Sequence, residues 1–562
     1  MENKLKPSPF YDWMPRPLGI TVYLLMFIPI LFNNGVYVNT MTEMYSALGL
    51  HSEDVQFANF VTSIGNAAFA PFMIYFLKRR RTKVVYVFGF LAMMLFCEIA
   101  ARTQSVPVLV GSCFMIGFIR VMLVLNTTFG LFPYITGKDM TQAFFGDVVS
   151  EAEQNQMDRF RMVALPVYYF FLIVISQLGN ALASIWAFHS DWQSVHIYMM
   201  LFTLIALLLV LLTIKPEMKK SDGKDSERLQ IPEMLLFITA SVALCFFLLY
   251  GKMLDWFNSR SIRIASALVL GCGGLLLIFI TRKKNPYIHL EILRKPNVCF
   301  ALILLCLAMI FNSTSVFITL YSSISMTLDS LQTANLYNFT IWGFLLGTVI
   351  AFVMIRKKMK NKFVFAVGFL LLTASVVVLY LHYQSEELYN HLRLPVLLRS
   401  TGMIIVYSVG SVYGMMKLPG KLRPSWICLM LIARSVLGPV AGISLYSNVL
   451  YEKQNEYTVR FAQEADGTNY DVAAAFQRTQ TAAMMQGASY ENAQSLATLS
   501  LNGRIQKQAA LAALKEVTGY VIWGGTGCLA FIFLFPFPVL FRRIPRVLFK
   551  VFAKKRSIGK VQ

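Results

Sequence analysis

Runs of about twenty apolar residues, separated by short polar stretches, recur along the chain from Pro17 to Phe541. A helix of that length crosses roughly 30 Å of hydrocarbon. The pattern predicts about fourteen membrane spans, over residues 17–38, 55–77, 84–101, 106–132, 163–187, 195–214, 232–251, 261–281, 298–320, 334–355, 363–382, 396–416, 427–450 and 516–541. Polar stretches group them into an N-terminal segment (1–16), a six-span bundle (17–214), a polar linker (215–230), an inserted pair (231–281), a second six-span bundle (298–541) and a basic tail (542–562). The second bundle contains a long polar insertion, 452–515, rich in Ala and Gln. Its apolar residues fall at helical spacing (Ala482, Ala483, Met485; Ala509, Leu511, Leu514), which predicts helices lying on the membrane surface or against a partner.

Composition agrees: with 56% hydrophobic and 14% charged residues the chain is unlike a soluble domain, where charge approaches a quarter. The net charge of +22 does not point to nucleic acid, because most of the 51 Lys and Arg residues fall in the even-numbered connections and the two tails. That bias predicts cytoplasmic termini and contacts with membrane lipids. All eight cysteines lie inside expected spans with no CxxC pair, so they read as packing residues and no metal or cofactor is expected. The first apolar run is too long for a cleavable signal and lacks a small-residue cleavage site, so span one is expected to remain as an anchor.

Polar residues inside apolar spans are the candidates for function, since lipid does not solvate them. Arg120 sits mid-span in the fourth run, with Asn126 beyond it. Asn33 and Asn34 fall in the first, Asn312 in the ninth, Asn338 in the tenth and Arg434 in the thirteenth. These are read as substrate or ion contacts, with Arg434 as a gating or pairing charge. Arg399 lies near the end of its span, where snorkelling to the interface explains it. Two echoes point to duplication. The basic connection Lys78-Arg79-Arg80-Arg81 recurs as Arg356-Lys357-Lys358, and the small-residue run Gly179-Asn180 recurs as Gly438-Pro439-Val440-Ala441-Gly442, giving packing or gating positions in two fifth helices.

Further stretches carry a family resemblance: Ser190-Asp191-Trp192, Gly251-Lys252-Met253-Leu254-Asp255-Trp256-Phe257, Asn285-Pro286-Tyr287-Ile288-His289-Leu290-Glu291, Ala433-Arg434-Ser435-Val436-Leu437-Gly438 and the long insertion before the last span. The chain resembles the fourteen-helix drug:proton antiporter branch of the major facilitator superfamily, the EmrB and QacA type. The resemblance implies an all-α membrane fold of two six-helix bundles plus two inserted helices, with no enzymatic activity. It also implies export of amphipathic or aromatic molecules across a bacterial inner membrane, and docking of a periplasmic adaptor and outer-membrane channel on the long insertion.

The mechanistic motifs depart from the family's. The frame Gly-x-x-x-Asp-Arg-x-Gly after helix two is here held by Ile74, Lys78, Arg79 and Arg81. The helix-five motif lacks its proline, and Asn33-Asn34 stand where an aspartate is expected. A proton-driven carrier needs an embedded group that titrates, which leaves Glu98 and Glu43 as the proton-carrier candidates. Two alternatives stay open: a facilitator or carrier not coupled to protons, and a non-transporting scaffold or sensor.

Overall fold

The computed structural model describes residues 9–79, 81–136, 151–216, 230–283, 285–326, 328–383, 389–465 and 470–534, with 78, 79, 133–136, 151–163 and 330 described by backbone alone. Among them, thirteen helices are long and apolar enough to cross a membrane, and a shorter apolar helix precedes them. We label them α1 (Arg16–Phe32), α2 (Ser52–Leu77), α3 (Thr82–Arg102), α4 (Val106–Phe132), α5 (Ala164–His189), α6 (Trp192–Thr213), α7 (Ile231–Tyr250), α8 (Arg260–Arg282), α9 (Pro296–Met326), α10 (Leu331–Arg356), α11 (Asn361–Leu381), α12 (Tyr389–Met415), α13 (Gly420–Glu464) and α14 (Tyr490–Leu534). Each expected span overlaps one of them. The protein is an all-α, multi-pass membrane protein.

Burial sorts the helices. In α2 and α12, 67% and 72% of the most apolar window is buried, against 22% in α7 and 17% in α8. The inserted pair therefore lies at the periphery, leaving most of its apolar surface for lipid. Its attachment is specific. Glu233, fully buried at the start of α7, accepts from Lys283 Nζ at 2.5 Å and from the Tyr287 backbone N–H at 2.6 Å. Tyr287 in turn donates its hydroxyl to the Ala68 carbonyl on α2 at 2.5 Å, and Ser425 Oγ on α13 accepts from the His289 N–H at 3.0 Å. At the other end of the pair, Tyr250 donates to Asp54 of α2 at 2.5 Å, and Ser444 on α13 donates to the Leu248 carbonyl at 2.6 Å.

Three expectations change. Span one was drawn to residue 38, but α1 ends at Phe32 with Asn33 as its cap, and residues 33–37 are non-helical. Pro29 inside the helix and Gly35 beyond it explain the early stop, because neither favours helix continuation. The insertion 452–515 does not lie flat. α13 continues to Glu464, a separate helix covers Tyr470–Met485, and α14 runs unbroken for 45 residues. At 1.5 Å per residue α14 is about 67 Å long, roughly twice the hydrocarbon thickness, so the insertion projects as a helical hairpin. Lys453–Glu516 (3.0 Å) and the Tyr457 hydroxyl on Glu516 (2.9 Å) fasten its base. The N-terminal segment is not simply polar surface. Phe10 is fully buried against Tyr23 and bridges Ile214, and Lys215 pairs with Asp12 at 2.6 Å. Arg80, linker residues 217–229, residues 535–541 of span fourteen and the basic tail lie outside the described residues.

The Gly-Pro run of α13 does not break the helix. Residues Ala433–Leu437 form a π-turn and α-helix resumes at Gly438, with Pro439 in its first turn. A π-turn widens the backbone just where proline lacks a donor and crowds the preceding turn. Gly438 and Gly442 then face α9. A Cβ on Gly438 would stand 2.6 Å from Met309 Cβ, and one on Gly442 2.8 Å from Ser313 Cβ and 3.0 Å from Ile310 Cα.

Two stability tests follow. Gly442→Val should overpack this crossing by about 1–3 kcal/mol, read as a lower Tm in detergent. Gly503→Ala, at an open helical position, should leave Tm equal or higher. Glu233→Ala should leave the Tyr287 N–H unsatisfied, a penalty of about 1–3 kcal/mol. It should also raise proteolytic nicking between α8 and α9, which an unchanged digestion pattern would refute.

Candidate functional site

Between α1–α6 and α9–α14 lies a cavity of about 960 Å³. Among the described residues its walls come from α1, α2, α4 and α5 on one side and α9, α10, α12 and α13 on the other, and none comes from α3, α6, α7, α8, α11 or α14. The polar and small-residue candidates read from the sequence lie at the end of α1 and on α4, α5, α9, α10 and α13. The structure adds α2, through Ser63 and Asn66, and α12.

Three arginines line this cavity. Arg120 on α4 donates to Asn34 Oδ1, to the Leu31 carbonyl (3.4 Å) and to Ser176 Oγ (3.4 Å). Leu31 is in the last turn of α1, whose carbonyls have no partner within the helix. Arg120 therefore caps the end of α1 from across the bundle. Arg399 on α12 repeats the arrangement: its Nη1 donates to the Asn312 carbonyl at 3.2 Å, where α9 is interrupted by a turn at Ser313–Thr314. In each six-helix set, an arginine of the fourth helix holds a break in the first.

Arg434 is presented by the π-turn of α13. Its Nη1 donates to Ser411 Oγ at 2.7 Å, and its guanidinium lies 3.9 Å from the Tyr407 ring centroid and 5.1 Å from that of Tyr169. The two rings meet edge to face, with centroids 5.7 Å apart. Tyr169 belongs to α5 and Tyr407 to α12, so this cation–π cluster joins the two helix sets across the cavity. Among the described residues, no Asp, Glu, Lys or His lines it.

The other candidates distribute as follows. Asn312 and Asn180 line the cavity; the Asn180 carbonyl accepts from Asn39 Nδ2 at 3.5 Å. Asn34 reaches it only through its bond to Arg120. Asn33 does not line it: fully buried, it donates to Thr203 Oγ1 and to the Pro29 carbonyl, both at 2.7 Å, and accepts from Cys97, joining α1 to α6 and α3. Asn126 also faces away, donating to the Thr82 carbonyl at 3.2 Å where α3 starts. Asn338 sits one residue beyond the wall residue Tyr337, its amide oxygen buried without a partner.

Glu98 points outward: its side chain is 34% exposed and pairs with Arg102. Glu43 lies on the short helix Met41–Leu48, where Thr42 and Tyr45 are wall residues and Glu43 is not. Gly179 packs against Phe32, with α1 too close for a side chain, and Gly438, Pro439 and Gly442 form the α9 contact, the Pro439 carbonyl accepting from Ser313 at 3.3 Å. In the basic connection after α2, Arg81 is exposed, and the side chains of Lys78, Arg79 and Arg80 lie outside the described residues.

Sequence reasoning passed over Arg399, which is only 5% exposed, and the tyrosines. A signal for them existed. Arg399, Met403, Tyr407, Ser411 and Met415 recur every four residues, the spacing of a single helix face, and all five line the cavity.

No protein-family model matches this sequence, and no curated protein matches it. Among solved structures it is similar to the peptide transporter POT in complex with alafosfalin, a variant form (TM-score 0.51, 13% identity, covering 94% of this chain and 98% of that one), and to the same transporter in complex with sulfate (TM-score 0.50, 13% identity, 94% and 98%). A further match is the human organic anion transporter MFSD10 (TM-score 0.44, 12% identity, 89% and 100%). With its helix content and about fourteen spanning helices, the likeness to POT gives this chain the all-α major facilitator fold.

Proposed function

We propose that this protein is a secondary transporter that moves amphipathic small molecules through the central cavity by alternating access. The observation that carries this reading is the cavity itself. It lies between two helix sets, is walled by four helices of each, and has a mixed lining. Phe129, Phe132, Leu172, Phe344 and Met430 offer apolar and aromatic surface beside Ser63, Asn66, Ser176 and Thr319. The amide oxygens of Asn66 and Asn180 are buried at this wall without a partner, which suits them to polar contacts with a bound molecule.

Export across a bacterial inner membrane is the direction we assign, resting on the resemblance to the EmrB and QacA branch and on the basic bias of the even-numbered connections. The projecting hairpin gives the proposed periplasmic adaptor a surface to dock on.

A second reading concerns the driving force. Glu98 is paired with Arg102, and no described lining residue is a carboxylate or histidine, which favours a carrier not driven by protons through this cavity. Arg120→Ala should abolish transport in proteoliposomes while the protein elutes as a folded monodisperse peak; full activity would remove Arg120 from the pathway. An imposed pH gradient should leave the rate of a substrate of fixed charge unchanged, and acceleration by the gradient would restore proton antiport.

A further inference from the structure

We infer that the molecule this cavity takes is an organic anion: an aromatic or apolar body carrying a carboxylate, sulfonate or similar oxyanion. The inference rests on the carrier reading and specifies its substrate. Three guanidinium groups face one chamber, and no ion pair among the described residues involves any of them. Their partners are all neutral: a carboxamide and a carbonyl, a hydroxyl, or tyrosine rings.

Arg399 and Arg434 are 5% and 6% exposed, and the Nε of each is buried with no acceptor. Neutral acceptors satisfy single N–H groups but leave the charge itself uncompensated, and a planar oxyanion answers both needs through paired N–H donors. A cation entering the same chamber would meet three like charges and, among the described lining residues, no counter-charge.

The aromatic lining fixes the rest of the class. Tyr169 and Tyr407 hold Arg434 in a ring cluster, and Tyr168, Phe129 and Phe132 continue that surface, so an aromatic body would lie beside the guanidinium that takes its acid group.

The test uses the purified full-length protein in detergent and three probes sharing one ring system: naphthaleneacetate, naphthaleneethanol and naphthylmethylammonium, with binding followed by titration calorimetry. Naphthaleneacetate should bind about tenfold tighter than the alcohol, the scale of one added charge-assisted pair, and the ammonium should bind weakest. Arg434→Gln and Arg399→Gln should each bring the acetate-to-alcohol ratio toward one, and Arg434→Lys, which keeps the charge, should restore much of it. If the alcohol or ammonium binds as well as the acetate, the anion assignment falls and the carrier reading stands. If none of the three binds, both fall. A ratio unmoved in both Gln variants would overturn the assignment of these arginines.

Discussion

The structure depends on placing guanidinium charge inside a membrane protein without carboxylates beside it. Burying a charge is expensive unless hydrogen bonds and counter-charge replace water. Here the replacements are backbone carbonyls at helix breaks, an amide, hydroxyls and tyrosine faces. Each arginine uses acceptors that the local fold leaves over. Arg120 takes a terminal carbonyl of α1, and Arg399 takes the carbonyl at the interruption of α9. The breaks and the arginines therefore explain each other. Without the breaks Arg120 and Arg399 would lose their carbonyl acceptors, and without the arginines those carbonyls would lose their side-chain donors.

That reciprocity appears once in each six-helix set, at matching positions in the helix order. It carries the duplication signal that the basic connections carry only weakly, since positive charge is expected in every such connection. It also explains why the early stop of α1 is not a defect. Asn33 and Asn34 are adjacent yet serve opposite ends: Asn33 ties α1 outward to α3 and α6, and Asn34 turns inward to Arg120. One residue of register at a helix terminus separates scaffold from cavity.

Much of the fold was legible because about twenty apolar residues in a row admit few physical alternatives. Which side of each helix faces the cavity was much less so. Polarity alone treated Asn33, Asn126 and Asn34 alike, although the first two bond to neighbouring helices and only the last reaches the cavity arginine. Arg399 was misplaced for a related reason. Its depth was judged from the distance to the span's end, but its helix is among the most buried and the side chain, 5% exposed, turns to the cavity. Interior helices need the i+4 stripe read first and distance from the end second. The hairpin was underestimated because its Ala- and Gln-rich sequence has a weak apolar face, while helix propensity carries α14 through the boundary without a stop signal.

α13 shows how rigid and yielding contacts coexist on one element. Toward α9 it presents Gly438 and Gly442, and backbones this close leave no side-chain freedom to absorb a shift. Toward α5 it reaches across the cavity with Arg434, whose guanidinium lies 5.1 Å from the Tyr169 ring centroid, close to the roughly 6 Å limit of such a contact, so a small displacement of the sets would part it. In a cycle where the two sets rock against each other, the glycine contact would keep α13 with its own set while the cation–π contact parts and re-forms. The residue that makes the parting contact also faces the chamber. An oxyanion bound to Arg434 would compete with the tyrosine rings for the guanidinium, so occupancy of the cavity and separation of the sets would act on the same side chain.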